Sequence, residues 1–183
     1  MAIENIQVAA AKLVLGIATW EELCQAANRS LDQGQYTLAL GNLATLAHPI
    51  MAEADPLFRA ALRELSVTLP SKDEAIKSLL KYHLTAIANR QVAPREGLQQ
   101  LMKDVYYGAR TFELDSGVVG DSYGLEHLIG YYYGYEDLDE RPTEVSFRGK
   151  YGKPAKKAVD QEVIRLAAEW LAAHQTVTEV REP

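Results

Sequence analysis

The sequence has too few cysteines for a disulfide scaffold, too little positive charge for a general nucleic-acid-binding protein, and no apolar run long enough for a transmembrane helix. It contains one cysteine, Cys24, which excludes a scaffold of internal disulfides and is typical of a reducing compartment. Lysine and arginine number 19 against 25 acidic residues, so the chain lacks the basic excess that a general nucleic-acid-binding protein needs to meet phosphates. No window of about 18 residues is uninterruptedly apolar, so we expect no transmembrane helix.

The apolar start of the chain, MAIENIQVAAAKLVLGIA, lacks the basic region that opens a signal peptide. Glu4 is the first charged residue of this stretch, and Lys12 interrupts it. We therefore predict a cytoplasmic protein that has no membrane partner.

Motifs for catalysis, nucleotide binding and metal binding are also missing. The chain contains neither GxxxxGK before Ser or Thr nor GxGxxG, the two glycine-rich phosphate loops, and no GxSxG nucleophile motif. Its four histidines do not pair at helical spacings, and no Glu-x-x-His occurs, which removes the common metal signatures of helical bundles. We therefore predict no catalytic residue, no metal and no cofactor, and the leading interpretation is a protein without enzymatic activity.

Amphipathic helices account for most of the remaining pattern and predict an all-α fold. From the length we predict that residues 1–183 form a single domain, either a bundle or a short stack of helical hairpins with about six to eight helices. Capping boxes predict helix starts at Thr19 and Ser71, and Asp55-Pro56 predicts another. Turn-forming residues predict long loops at 111–120 and 136–153, and residues 175–183 are expected to form a frayed tail.

Predicted helix starts near residues 20, 56 and 95 are almost evenly spaced, which favours stacked helical hairpins. The segment LDQGQYTLAL, residues 31–40, resembles the middle of a tetratricopeptide repeat. The other two hairpins do not repeat this segment, so the resemblance implies a helical hairpin and no particular function.

Residues 121–157 differ in chemistry from the rest of the chain, because they combine many tyrosines with separate acidic and basic runs. The first half is a predicted helix whose apolar face includes Leu125, Leu128 and Tyr132. The neighbouring tyrosines cover more than one face of this helix. We therefore predict that Tyr132 is buried and that Tyr131 or Tyr135 is exposed.

Three glycines interrupt the helical pattern of this segment: Gly124, Gly130 and Gly134. Each costs about 1 kcal/mol relative to alanine in a helix interior. The pattern predicts either that another element approaches closely or that the helix ends near Gly134.

The charge changes sign in the second half of the segment. Residues 136–144 contain five acids and one arginine, whereas residues 148–157 contain five bases and no acid. Two interpretations stay open: the runs are solvated and partly neutralise each other, or they form a surface that presents charge and aromatic rings to a partner.

The leading functional hypothesis is a small interaction or regulatory protein, and inhibitor-type and immunity-type proteins are examples by physical analogy. Tyrosine and arginine are enriched at interface hot spots, and the acidic balance suits a basic protein partner. The predicted partner-binding residues lie on the aromatic and charged segment: Tyr131, Tyr135, Glu136, Asp137, Asp139, Arg148, Lys150 and Tyr151.

Two alternatives stay open at this point. A helical enzyme or small-ligand-binding bundle would use a pocket near Asp121, Tyr123 and His127, and a deep pocket on which Asp121 and His127 converge would support it. Local nucleic-acid contact through residues 147–157 would instead show strongly salt-dependent binding.

Overall fold

The computed structural model describes residues 6–174, and its fold is all-α, as the amphipathic pattern predicts. The described residues are 70% helical, and they form eight α-helices and one small hairpin. No helix of the described part is long and apolar enough to cross a lipid bilayer. The predicted frayed tail, residues 175–183, lies outside the described residues. The helices are α1 (Ile6–Val14), α2 (Trp20–Asp32), α3 (Leu38–Ala44), α4 (Met51–Glu64), α5 (Lys72–Ala88), α6 (Pro94–Leu101), α7 (Glu126–Glu140) and α8 (Gly152–Ala173).

Backbone contacts group the chain into two compact units, and the single domain that the length predicts stays a prediction. Of the described residues, unit 1 comprises 6–82 and 107–109, and unit 2 comprises 83–106 and 110–174. The division passes through α5 after Tyr82. Each unit is described by itself below.

Unit 1 packs α1 to α4 around an apolar core whose fully buried members include Leu23, Leu40 and Phe58. The capping box predicted at Thr19 is present: the Thr19 hydroxyl accepts from the Glu22 amide, and the Glu22 carboxylate accepts from the Thr19 amide. Both bonds satisfy amides at a helix start that have no partner inside the helix.

Helix α4 begins at Met51, five residues before the predicted start at Pro56. Glu53 replaces the expected aspartate cap, since its carboxylate accepts from the Ile50 amide at 3.2 Å. Asp55 instead pairs with Arg59 one turn later, at 2.5 Å. The second predicted capping box is correct, because Ser71 and Glu74 exchange bonds at the start of α5.

Helix α6 of unit 2 continues into a π-helical segment, Met102–Gly108, whose last two residues are assigned to unit 1. Unit 2 also contains two short 3₁₀ turns, Thr111–Leu114 and Asp121–Tyr123. The first turn occupies the start of the predicted loop at 111–120, and the second begins directly after its last residue. The π-helical segment buries Asp104 beside His83 of α5, with 3.2 Å between Nε2 and Oδ2. π-Helical turns are rare and frequently occur at functional sites.

Helix α7 runs through its glycines to Glu140, so it does not end near Gly134. The predicted loop at 136–153 is therefore only partly loop. Its first residues belong to α7, its last two belong to α8, and it contains strands β1 (Ser146–Phe147) and β2 (Lys150–Tyr151). These strands pair antiparallel, with Phe147 opposite Lys150. Arg148 and Gly149 connect them with φ angles of 50° and 71°, and two positive φ angles match the twist of a two-residue hairpin.

Candidate ligand-binding cavity

Unit 2 contains a cavity of about 320 Å³ lined by α7, the hairpin strand β1 and α8. This volume lies at the lower end of the range of roughly 300–1,000 Å³ that is typical of small-molecule pockets. β1 and the residue before it contribute Val145, Ser146 and Phe147, and α8 contributes Val159. Helix α7 provides most of the wall: Glu126, His127, Gly130, Tyr131, Gly134 and Leu138.

Gly130 and Gly134 lie one helical turn apart in this wall. A Cβ atom added at either position would meet no other atom within 4 Å. The prediction that these glycines accommodate a closely approaching element is therefore wrong. Their missing side chains leave space open along the face of α7 that lines the cavity.

Tyr131 and Phe147 form an aromatic part of the wall. Their ring centroids are 5.7 Å apart, and the rings meet edge to face at 83°. Burial, and then the nearby Glu162 carboxylate, raise the pKa of Tyr131. A tyrosine hydroxyl is protonated at neutral pH even without this shift, so Tyr131 is able to donate a hydrogen bond.

The polar part of the wall consists of Glu126, His127 and Ser146 together with the Tyr131 hydroxyl. The Glu126 carboxylate oxygen Oε2 is buried and has no hydrogen-bond partner among the described residues. His127 is exposed. The wall contains one carboxylate and, as far as the described residues go, neither lysine nor arginine.

The structure brings only His127 of the predicted pocket residues to this cavity. Asp121 holds a loop instead, because its carboxylate accepts from the amides of Ser116, Gly117 and Val118 at 2.9, 2.7 and 3.1 Å. These bonds lower the pKa of Asp121 to about 2.

Tyr123 does not line the cavity either. Its backbone carbonyl accepts a hydrogen bond of 2.8 Å from the indole of Trp170 on α8. Asp121 and Tyr123 are therefore absent from the lining of the cavity that His127 borders.

Of the tyrosines predicted to bind a partner, Tyr135 is not on the surface. Its side chain is 2% exposed, and its hydroxyl donates to Asp160 of α8 at 2.6 Å. Burial and this hydrogen bond raise the pKa of Tyr135. Tyr131 and Tyr132 are both half-buried, so the predicted contrast between a buried Tyr132 and an exposed neighbour is wrong.

The two charged runs partly neutralise each other, which is the first of the two interpretations given for them. Asp139 pairs with Lys156 across the runs and also with Arg95. Asp137 pairs with Arg141 at 2.5 Å.

The basic run offers a smaller exposed charge than its composition suggests. Arg148 pairs with Glu162 at 3.0 Å, and Lys156 pairs with Asp139. Nothing in this arrangement favours the nucleic-acid alternative.

Three of the predicted partner-binding residues are exposed, as binding to a partner requires: Glu136, Lys150 and Tyr151.

Residues 111–122, here called the apolar loop, present a surface that the sequence did not predict. Four apolar side chains of this loop are between 40% and 61% exposed: Phe112, Leu114, Val118 and Val119. Asp121 holds one part of the backbone, and Asp115 holds another by accepting from the Gly120 amide at 2.7 Å. Asp115 also accepts from the hydroxyls of Ser122 and Tyr106. The loop is therefore ordered by two carboxylates, although its apolar side chains face solvent.

No cluster of three or more histidine, cysteine, aspartate or glutamate side chains within residues 6–174 is arranged to hold a metal ion. Comparison with known proteins gives no match to a family model, to a curated protein or to a solved structure. The cavity and the apolar loop are therefore the two features on which a functional proposal can rest.

Proposed function

We propose that unit 2 binds a small organic molecule in the cavity between α7, the hairpin and α8. The observation that carries this proposal is the pair of glycines in the α7 wall. Gly130 and Gly134 each cost about 1 kcal/mol relative to alanine in a helix interior. No neighbouring atom requires either glycine, since a Cβ would meet open space. A cost in stability without a packing reason is expected where function needs the space.

The chemistry of the wall supports the same proposal. Leu138, Val145, Phe147 and Val159 provide an apolar surface, and few polar groups interrupt it. Binding pockets for small molecules typically combine such a surface with a small number of polar groups that orient the ligand. Tyr131, held edge to face against Phe147, fixes the shape of one side.

Nuclear magnetic resonance of isotope-labelled protein tests the proposal directly. Titration with phenethyl alcohol, a neutral one-ring probe, should shift amide signals of α7, the hairpin and α8 in a saturable way. Gly130→Leu should abolish these shifts, because the leucine side chain would fill the cavity from its wall.

Gly41→Leu is the matched control. Gly41 is also an interior glycine of a helix, α3 of unit 1, and a Cβ there also meets no atom within 4 Å. This variant should bind the probe as the unaltered protein does. Unsaturable or scattered shifts in the unaltered protein, or equal binding by Gly130→Leu, would show that the cavity is not a binding site.

The second proposal is that the protein interacts with a protein partner through the apolar loop. Its exposed Phe112, Leu114, Val118 and Val119 are held on an ordered backbone, so binding would lose little conformational entropy. Residues 110–121 carry one arginine and three carboxylates, which fits a partner whose apolar pocket is bordered by basic side chains. A cytoplasmic location, as expected from the single cysteine, belongs to this proposal.

Cross-linking in the native host, compared between variants, tests the second proposal. Val118→Ser combined with Val119→Ser should remove a cross-linked partner that the unaltered protein captures. Tyr36→Ser combined with Leu38→Ser is the control, since these unit 1 side chains are even more exposed, at 82% and 76%. A partner that both double variants lose, or that both retain, would not be held by the apolar loop.

A further inference from the structure

The geometry points to a protonated amine as the ligand of the cavity: a small molecule with an apolar, one-ring body and one cationic amino group. This inference rests on the small-molecule binding proposed above and adds the charge of the ligand. It comes from the polar groups of the cavity wall and from the charges that surround it.

The first argument is the Glu126 carboxylate. Glu126 lines the cavity from the first turn of α7, and its Oε2 is buried without a hydrogen-bond partner among the described residues. A buried carboxylate oxygen without a donor is unfavourable, and a charged donor is the strongest partner it can receive. Because Oε2 is enclosed, the carboxylate has to turn toward the cavity to receive a donor, and an ammonium group that enters beside Glu126 then supplies one.

The second argument is the lack of positive charge in the wall. Neither lysine nor arginine is among the described residues that line the cavity. Arg148 and Arg165 act on the pKa of Tyr131, so they lie within electrostatic range, but both are paired with Glu162. A carboxylate or phosphate ligand would therefore meet the Glu126 carboxylate in a wall whose described residues include no lysine or arginine, whereas an amine meets the opposite charge.

The third argument is the aromatic wall. A cation near the face of a tyrosine or phenylalanine ring is attracted by the ring's quadrupole. The Phe147 ring already interacts in this way with Arg148, whose guanidinium carbon lies 5.3 Å from its centroid. The Tyr131 ring and the Glu126 carboxylate thus offer an amine two kinds of attraction within one cavity.

Three probes of nearly equal size separate the charge of the ligand from its shape: phenethylamine, phenethyl alcohol and phenylacetate. Each is titrated into the full chain at neutral pH, with calorimetry for affinity and amide shifts for location. Phenethylamine should bind at least about tenfold more tightly than phenethyl alcohol, because hydrogen bonds to charged groups contribute that much or more. Phenylacetate should bind most weakly.

Glu126→Gln tests the residue itself while keeping its shape. This variant should lower the affinity for phenethylamine to about that for phenethyl alcohol and leave the alcohol unchanged. Glu136→Gln is the matched control, since Glu136 is an exposed glutamate of the same helix that does not line the cavity. Its effect on both ligands should be small.

The outcomes separate the two proposals. Equal binding of amine and alcohol by the unaltered protein, or an equal loss of both in Glu126→Gln, overturns the amine inference while the binding cavity stands. Absence of saturable binding by all three probes overturns both. The comparison of probes on the unaltered protein decides the question even if Glu126→Gln does not fold.

Discussion

Replacing the two wall glycines by alanine should make the protein more stable, which is unusual for substitutions at a candidate site. Gly130 and Gly134 both lie in the interior of α7, the fifth and ninth of its 15 residues. A methyl group at either position meets no atom within 4 Å, and neither glycine has a positive φ. The only expected effect on folding is the lower conformational entropy of the unfolded chain.

The magnitude follows from helix propensity. Each Gly→Ala change should raise the free energy of unfolding by about 0.5–1 kcal/mol. For a chain of this size about 1 kcal/mol corresponds to roughly 2–4 °C in Tm, so each single variant should gain about 1–4 °C. The double variant should gain more than either single variant, and its departure from the sum measures the interaction between the two methyl groups, which lie one helical turn apart in the same wall.

Thermal and urea unfolding followed by circular dichroism measure this effect, with Gly41→Ala as the control in α3. All three alanines should stabilise the protein, and the slope of unfolding free energy against urea should not change. Only Gly130→Ala and Gly134→Ala should also weaken binding of phenethyl alcohol, because only they narrow the cavity. A fall in Tm for either variant would mean that α7 packs against something at these positions, and the reasoning for an open cavity would fail.

Three further predictions concern the packing of unit 2 outside the cavity. Gly120→Ala should lower the free energy of unfolding by about 1–2 kcal/mol because of its φ of +85° alone, and by more because the added Cβ would lie 2.7 Å from Ile129. Urea unfolding measures this loss, and an unchanged midpoint would contradict it. Trp170→Phe should cost about 1–3 kcal/mol by removing the hydrogen bond that the Tyr123 carbonyl accepts from the indole, and Trp170→Ala about 3–5 kcal/mol because the ring packing is lost as well; a Trp170→Phe variant with the Tm of the unaltered protein would show that the indole hydrogen bond is not important. The pKa of Asp121 is lowered from 3.8 to about 2 on folding, so its carboxylate stabilises the protein above pH 3.8, and this effect is lost as the pH falls to about 2. The Tm difference between the unaltered protein and Asp121→Asn should therefore shrink over this interval. A constant difference would refute the role of the carboxylate.

Local sequence signals predicted where several helices begin but not where they all begin. Thr19 and Ser71 mark helix starts because a hydroxyl and a glutamate three residues later satisfy amides of the same turn, which requires nothing from the rest of the chain. Asp55-Pro56 has equally good local chemistry for a start, yet α4 begins earlier, at Met51. Glu53 provides an alternative cap, and the buried side chains Ala54 and Phe58 continue the packed face across the proline.

The segment around α7 was identified correctly as chemically distinct, but its details were not predictable from periodicity. Tyr135 was predicted to be a candidate for exposure, whereas its hydroxyl reaches Asp160, 25 residues later on another helix. The hairpin was read as loop because Arg148-Gly149 is not one of the strong turn signals, Asn-Gly or Asp-Gly. One sequence signal points to the cavity wall: Gly130 and Gly134 repeat at a spacing of four residues in an otherwise strong helix. Glu126 lies four residues before Gly130 and therefore falls on the same helical face.

The sequence by itself determined the helical class of this protein, because helix formation depends on spacing, capping and propensity within a few residues. It also determined that acidic and basic runs occur next to each other. Tertiary structure alone decided that Asp139 pairs with Lys156, that Tyr135 is buried and that the space beside Gly130 and Gly134 is open. These outcomes depend on which helices and strands lie beside α7, and contacts between residues distant along the chain leave no regular pattern in its sequence.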